Sequence, residues 1–531
     1  MLLPSRTPAK VLIVGFGLGS TCWSCLQHDV EFVECVELVK EEQETAKYFE
    51  EENHDVVSHP KFRLMIGDGR NYLLATDQMY DVISLNAIHP KFSPSLYTSD
   101  FYELVHARLS DDGIVCAWIT LDGLTGQEFK MLLRSYWEIF PEATFWDVNS
   151  QHMVMIASKK PLKIDYGLWL ERLQDEKIRS YLREVHLDHP HAMLSHFMLD
   201  AQSTCDYFGD VPLNSDNRPY VEFGREIAVH HRATIFNDLM SYRTSILPLL
   251  TNLPADEDSR LKLYDDIARY YYAMKYAIPG RYFLSVTYDR SKAEPLIEKA
   301  MMAWPDNEAF AHMLGKCSHV VESDRAQPFQ KWWAKGWLNE RDGKWPEAIA
   351  AYRQAVAENP SFPKAFKSLA FACEHSGRYS EAIQTMRQLI GLENKPEYRR
   401  FYLALLIRRA LDQEDEDMIS VTFGGKKLQF NRKGLETYLF LAKAYNEVGL
   451  PGRAEEILRL AAKLNPKSGM VYEVMGYNSL DLGHFRDAER HFEQALRLDP
   501  KLKDAAAQLD ILNQYIGKLI HREHIQNDTV N

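Results

Sequence analysis

Over the first 158 residues, short apolar runs rich in Val, Ile, Leu and Phe alternate with stretches whose apolar residues return every three or four positions. The first pattern predicts buried strands, and the second predicts helices lying on them. Strands are expected at 10–14, 31–37, 62–66, 80–85, 113–118, 143–146 and 152–158, and helices at 20–28, 40–53, 99–107 and 126–139. This alternation makes a doubly wound, Rossmann-like α/β domain with a mainly parallel sheet covered on both faces. Only Asn149-Ser150-Gln151 separates the last two strands, so they are expected to form an antiparallel hairpin at one sheet edge. That ending is typical of nucleoside-binding transferases rather than of dehydrogenases.

From 161 to 223 the pattern is helical and then irregular, and it ends in a strand-like 220–223, as expected of a cap on the sheet domain. Residues 225–286 read as Tyr-rich helices that link two larger units. Beyond them a repeat appears: Gly343, Ala348, Tyr352, Ala355 and Pro360 return as Gly449, Ala454, Leu458, Ala461 and Pro466, and again as Gly483, Ala488, Phe492, Ala495 and Pro500. Gly377 follows Gly343 by 34 residues, as Gly483 follows Gly449. Ala293, Ile297, Ala300 and Pro305 repeat the second half without its glycine. This period resembles the tetratricopeptide repeat, in which small residues let two antiparallel helices approach and stacked pairs form a solenoid. Between Glu393 and Lys433 the register slips and a strand-like 421–425 intrudes. The division expected is 1–160 nucleoside-binding domain, 161–224 helical cap, 225–287 helical linker, 288–515 all-α solenoid and 516–531 tail.

Composition narrows the function classes. Lys+Arg 62 against Asp+Glu 75 gives a formal charge of -13, which removes the electrostatic footprint of a nucleic-acid binder. No apolar run is long enough to span a membrane, and Met1-Leu2-Leu3-Pro4-Ser5-Arg6 lacks the apolar core of a secretory signal. Seven cysteines, an odd and sparse set, fit reduced thiols. A cytoplasmic protein is expected, with membrane association left open if a longer amino-terminal half belongs to it.

The candidate chemistry lies at the strand ends. Gly15-Phe16-Gly17-Leu18-Gly19-Ser20 follows the first strand and opens a helix, allowing a tight turn, close backbone approach and free N–H groups toward a polar ligand. Its spacing differs from Gly-x-Gly-x-x-Gly, so a dinucleotide pyrophosphate is disfavoured. Glu37 ends the second strand, where a carboxylate accepts from both ribose hydroxyls, and Leu38 follows it. Gly67-Asp68-Gly69-Arg70 ends the third, where Asp68 accepts from an adenine amine. Ligands of such sheets bind outside the carboxyl ends of the strands, so the three converge by topology.

Here the sequence resembles the spermidine synthase-like (polyamine aminopropyltransferase-like) group of class I S-adenosylmethionine-fold proteins, chiefly the branch with membrane-fused members, which implies a Rossmann-like domain of the class I methyltransferase type. The resemblance rests on Val11-Leu12-Ile13-Val14-Gly15-Phe16-Gly17, Val36-Glu37, Phe49-Glu50-Glu51-Glu52-Asn53-His54, Gly67-Asp68-Gly69-Arg70-Asn71-Tyr72-Leu73, Tyr80-Asp81-Val82-Ile83, Leu96-Tyr97-Thr98 with Phe101-Tyr102, and Leu213-Asn214-Ser215-Asp216-Asn217-Arg218-Pro219. It implies that Gly15, Phe16, Gly17, Gly19, Glu37, Leu38, Asp68 and Gly69 hold S-adenosylmethionine or its decarboxylated form as co-substrate, without a metal. It also implies departures. The position of the synthases' catalytic Asp is Asn86, the next carboxylate of that loop is His89 before Pro90, and the acid of the glycine loop is Leu18. The small β-domain that precedes the first strand in the synthases has no counterpart in the roughly ten residues before Lys10.

Three functions stay open at this stage: transfer of an aminopropyl or related alkyl group, methyl transfer, and a catalytically inactive scaffold acting through its repeats. Asn86 and His89 are the catalytic candidates, His89 as a base near neutrality or as a turn cap. Cys22-Trp23-Ser24-Cys25 has redox spacing, which helical packing also explains, and no second Cys pair completes a zinc site. His186, His189, His191 and His196 are expected on the surface, Asp216 and Arg218 as an ion pair holding the cap, and the acidic 412–417 stretch as a solvated connection. The expected partners are a nucleoside co-substrate and an unidentified protein on the repeats, with a homodimer open.

Overall fold

A computed structural model describes residues 10–86, 89–224, 232–285, 289–305, 307–315, 321, 326–413 and 416–520. It divides into two compact units, the second spanning Ala268–Phe283 and Asp289–Lys518 and the first lying mainly before Ala268.

In the first unit, β1 (Lys10–Val14), β2 (Phe32–Glu37), β3 (Phe62–Ile66), β4 (Tyr80–Leu85), β5 (Leu109–Thr120), β6 (Thr144–Asp147), β7 (His152–Ser158) and β9 (Phe197–Leu199) form one sheet, in the order β3-β2-β1-β4-β5-β7-β6-β9. β8 (Ile164–Asp165) instead pairs in parallel with β10 (Leu250–Thr251). The first five strands of the large sheet are parallel, with Val11 opposite Val33 on one side and Val82 on the other. Both faces are covered, which is why β1 reads as an unbroken apolar run: Val11, Leu12 and Ile13 are fully buried. On one face Val11, Ile13, Val33 and Cys35 pack against Cys22 and Cys25 of the helix Ser20–Leu26.

Three local expectations are corrected. The β6–β7 hairpin forms, but β9 pairs with β6 outside it, so the hairpin is not the edge; three residues are too few to show a strand pattern. The helix expected over 40–53 breaks into Lys40–Thr45, a tight turn at Ala46–Phe49 and Glu50–Asn53. The buried Asn53 amide donates to the carbonyls of Ala46 and Leu18, at 2.8 and 3.1 Å, which fixes that break against the glycine loop. Residues 220–223 are turn rather than strand, since Pro219 has no N–H and the Val221 N–H is taken by Asn214 Oδ1. A further helix, Gly69–Ala75, was not anticipated; its start is capped by Asp68, whose carboxylate accepts from Asn71 N at 2.8 Å.

The second unit holds the helical solenoid, but a β-hairpin interrupts it, so it is not all-α as expected. Helix pairs Pro328–Arg341 with Trp345–Glu358, Pro363–His375 with Tyr379–Leu392, Leu435–Glu447 with Pro451–Leu464, and Gly469–Asp481 with Phe485–Leu498 carry the repeat. The recurring glycine ends the first helix of each pair in a left-handed turn, with φ 71° at Gly343 and 69° at Gly377. Inside the helices, Gly336 and Gly476 leave room for the rings of Tyr352 and Phe492. The interruption is a β-hairpin: β11 (Met418–Phe423) and β12 (Lys426–Asn431) turn at Gly424-Gly425 and follow the helix Pro396–Gln413.

Candidate nucleoside site

Parallel pairing brings the carboxyl ends of β1 to β4 together, and three backbone hydrogen bonds lock them. Gly15 N donates to Val36 O (2.9 Å), Gly67 N to Glu37 O (2.8 Å) and Asn86 N to Val14 O (2.8 Å). Gly15 has φ 95°, and a Cβ there would stand 2.8 Å from the Asn86 carbonyl, so the turn requires glycine. Gly17 and Gly19 are also left-handed, with Gly19 closed in by Phe16, Asn53 and Val56. Gly69 meets the Val14 side chain, which holds the third strand's turn against the first strand.

Glu37 is buried, 6% exposed, and grips the loops on both sides: Oε2 accepts from Phe16 N at 2.7 Å and Oε1 from Val39 N at 2.8 Å. Lone pairs remain on both oxygens for further donors. Glu42, absent from the sequence expectations, accepts from Gly17 N at 3.1 Å. Burial, the Glu37 charge and a hydrogen bond with Glu37 raise its carboxyl above the usual range. Leu38 and Ile66, 67% and 45% exposed, offer apolar walls beside these acids. Of the residues singled out by sequence, Gly15, Phe16, Gly17, Gly19, Glu37, Leu38, Asp68, Gly69 and Asn86 thus lie on four neighbouring strand ends.

The loop after β4 is built differently. Asn86 Oδ1 accepts from Ser84 Oγ at 3.0 Å, and Ala87 and Ile88 lie outside the described residues. His89 Nδ1 accepts from Lys91 N (3.1 Å), so Nε2 carries the proton and donates to Asp122 O (2.6 Å). Burial and the nearby Lys91 charge lower its pKa. With both nitrogens held by backbone, this imidazole fits the turn-cap reading better than the base. Lys91 forms an ion pair with Glu128 at 3.1 Å, both side chains nearly buried, and Glu128 also caps the helix Gly126–Ile139 through Thr125. The loop therefore carries Asn86 and His89 where the resemblance implies acids, and the Lys91 charge beside them is neutralised by Glu128. Leu18 of the glycine loop and Phe92 of this loop are both exposed.

Sequence pairing of Asp216 with Arg218 is overturned. Asp216 pairs with Arg70 of the Gly-Asp-Gly-Arg turn and accepts from Thr98 Oγ1 at 2.8 Å, while Arg70 also donates to Ser95 O. Burial opposes ionisation of Asp216, but Arg70 and Thr98 hold its carboxyl below the usual range. Arg218 instead joins Ser215 through backbone bonds. Asn214, 1% exposed, donates to Tyr97 O and accepts from Val221 N, so the Asn-Ser-Asp-Asn-Arg-Pro stretch ties the cap to the helix Ser99–Arg108. Arg70 went unassigned because its partner is 146 residues away.

The histidine expectation is also corrected. His191 is buried against Tyr166, whose hydroxyl is 2.8 Å from Nε2, and burial lowers its pKa to about 3. His196 Nδ1 lies 2.9 Å from Asp147 O. Cys22 and Cys25 are buried thiols with raised pKa values, Cys22 chiefly through its hydrogen bond with Cys35 and Cys25 through burial, which makes them unreactive. Among the described residues no group of His, Cys, Asp or Glu is placed to hold a metal, and no helix is long and apolar enough to cross a membrane.

Comparison with known proteins agrees with this architecture. Residues 2–148 match the spermine/spermidine synthase domain, and 334–398, 435–468 and 474–511 match tetratricopeptide repeats. A polyamine aminopropyltransferase of Korarchaeum cryptofilum is 29% identical over 237 residues, 41% of this chain and 70% of that protein. One from Sulfurisphaera tokodaii is 36% identical over 149 residues, 27% of this chain and 49% of its own. The chain spans about half the length of several curated relatives, for example 48% and 51%. Among solved structures, a spermidine synthase in complex with the transition-state analogue AdoDATO is 26% identical, with TM-score 0.27, covering 30% of this chain and 58% of that one. Human methyltransferase-like protein 13 in complex with SAH is 19% identical, with TM-score 0.27, covering 34% and 85%. The amino-terminal region is thus spermidine synthase-like, and tetratricopeptide repeats follow it.

Proposed function

We propose that the chain is a spermidine synthase-like transferase that binds decarboxylated S-adenosylmethionine, or S-adenosylmethionine itself, and moves an aminopropyl or related alkyl group to a nucleophile. The observation that carries this reading is the convergence of the Gly15 turn, buried Glu37 and Asp68 on adjacent strand ends. The residues fit such a ligand: Gly17 and Gly67 face open space, Glu37 keeps acceptor capacity for ribose hydroxyls, Asp68 is available to an adenine amine, and Leu38 and Ile66 flank the base. The sulfonium supplies an electrophilic carbon. The protein orients that carbon toward the loop after β4, where Asn86 positions the nucleophile by hydrogen bonding and His89 holds the loop in shape.

Methyl transfer is the second reading, favoured by Asn86 and Leu18, neither of which supplies the negative charge that a polycationic acceptor needs. On either reading the repeats recruit a partner protein. The test is product analysis after incubating the full chain with each sulfonium and a panel of amines. Methylthioadenosine from the decarboxylated form supports aminopropyl transfer, and S-adenosylhomocysteine supports methylation. Neither product from any mixture would leave the inactive scaffold.

A further inference from the structure

After β2 the chain turns back toward the first strand. Glu37 Oε1 takes the Val39 N–H, Val39 caps the short helix Lys40–Thr45, and Glu42 N donates to Val39 O at 3.2 Å. Glu42 thereby reaches the glycine loop, where its Oε2 accepts from Gly17 N at 3.1 Å. A second tie holds the same segment to the same loop, since the Asn53 amide bridges the carbonyls of Ala46 and Leu18. Phe16 and Gly17 are consecutive, so neighbouring N–H groups of one turn each hold a carboxylate, Glu37 on the first and Glu42 on the second. This sets the two acids side by side, and a hydrogen bond joins them. Carboxylates are acceptors only when ionised, so that bond requires one proton, which belongs to the pair. Glu37 is the one charged group acting on Glu42. The loop from Gly15 to Ser20 has no titratable side chain, and Lys40, Glu41 and Glu44 of its own helix are exposed.

The bond from Glu42 uses acceptor capacity that Glu37 otherwise offers a ligand. This inference rests on the proposed nucleoside site, in which a ribose meets Glu37 with two hydroxyls on neighbouring carbons. We propose that Glu42 is a second acceptor for that ribose: the two hydroxyls replace the proton held between Glu37 and Glu42, one hydroxyl donating to each acid. No covalent bond to carbon changes. One hydrogen bond between acids is exchanged for two from hydroxyls, and the proton leaves to solvent. Because binding releases a proton, rising pH favours it, by up to about tenfold per pH unit while the pair stays protonated.

The test is calorimetric titration of the full chain with methylthioadenosine, which carries the ribose without a charged tail. It is run from about pH 5 to about pH 8, in buffers of different ionisation heat. In the unaltered chain, affinity should rise at least about threefold across that range, and the buffer dependence should report proton release at its acid end. Glu42→Gln keeps hydrogen-bonding groups at the position without a titrating proton, so both effects should vanish there. Affinity independent of pH in the unaltered chain would overturn the proposal, and so would proton release that persists in Glu42→Gln. Either result leaves the nucleoside site standing. Absence of binding to the unaltered chain at every pH would overturn the site and this proposal together. The pH dependence of the unaltered chain stays decisive if the substituted chain folds poorly.

Discussion

The two halves of the cleft are built on different principles. On the β1–β3 side, every group proposed to touch the nucleoside is held by main chain: Glu37 by two N–H groups, Asp68 by the Asn71 N–H, and the glycine turn by Val36 and Asn86. On the β4–β5 side, two positions where the resemblance implies acids are an amide, Asn86, and an imidazole with both nitrogens engaged, His89, and the nearby Lys91 is paired with Glu128. The half proposed to hold the nucleoside is fixed by backbone geometry, which a motif records, whereas the half proposed to face the acceptor is set by side chains. Binding of the adenosyl portion is therefore the firm expectation, and the acceptor is the open variable.

The largest effect that would break this comparison is expected at Glu37. Glu37→Ala removes two charge-assisted backbone bonds worth about 1.5–3 kcal/mol each, so nucleoside affinity should fall at least about a hundredfold by calorimetry, with a lower melting temperature. Retained affinity would show that Glu37 does not organise the site.

The second effect comes from acid. His28 and His191 are held neutral by burial, with pKa values lowered to about 4 and about 3. Both lie below the unfolded value near 6.5, so the unfolded chain binds protons first. Stability of the first unit should fall as pH drops from about 6.5 toward 4, at up to about 1.4 kcal/mol per pH unit for each histidine. Denaturant melts of His191→Asn should show a shallower slope; an unchanged slope would remove His191 from this account.

How much of this was legible in the sequence follows from the same physics. Strands β1, β3, β4 and β7 and the helix Gly126–Ile139 end where expected, because fully buried runs and a Thr125/Glu128 capping box are local signals. The solenoid was readable because its small and aromatic positions repeat at a fixed offset. Strand β9, the Asn53 contact with the Leu18 carbonyl and the Arg70–Asp216 pair were not, since each joins segments distant in sequence. Glu42 was hidden for a related reason: it reaches the glycine loop from a helix 25 residues on, amid other acids that point to solvent.

Smaller effects sharpen the contrast. Arg70→Ala should lower the first unit's stability by about 1–2 kcal/mol, leaving Asp216 and the Ser95 carbonyl without their guanidinium, and should raise hydrogen exchange at 95–100. The smallest effect is expected from His89→Gln, which should change nucleoside affinity less than about twofold while altering turnover; a large affinity loss would place His89 in the nucleoside half.

The most direct measurement is calorimetric titration of the full chain with S-adenosylmethionine and with its decarboxylated form, repeated on Asp68→Ala. The account predicts saturable binding of at least one sulfonium and a loss of about 1–3 kcal/mol in the variant. No heat with either compound, or equal affinity in the Asp68→Ala chain, would contradict it.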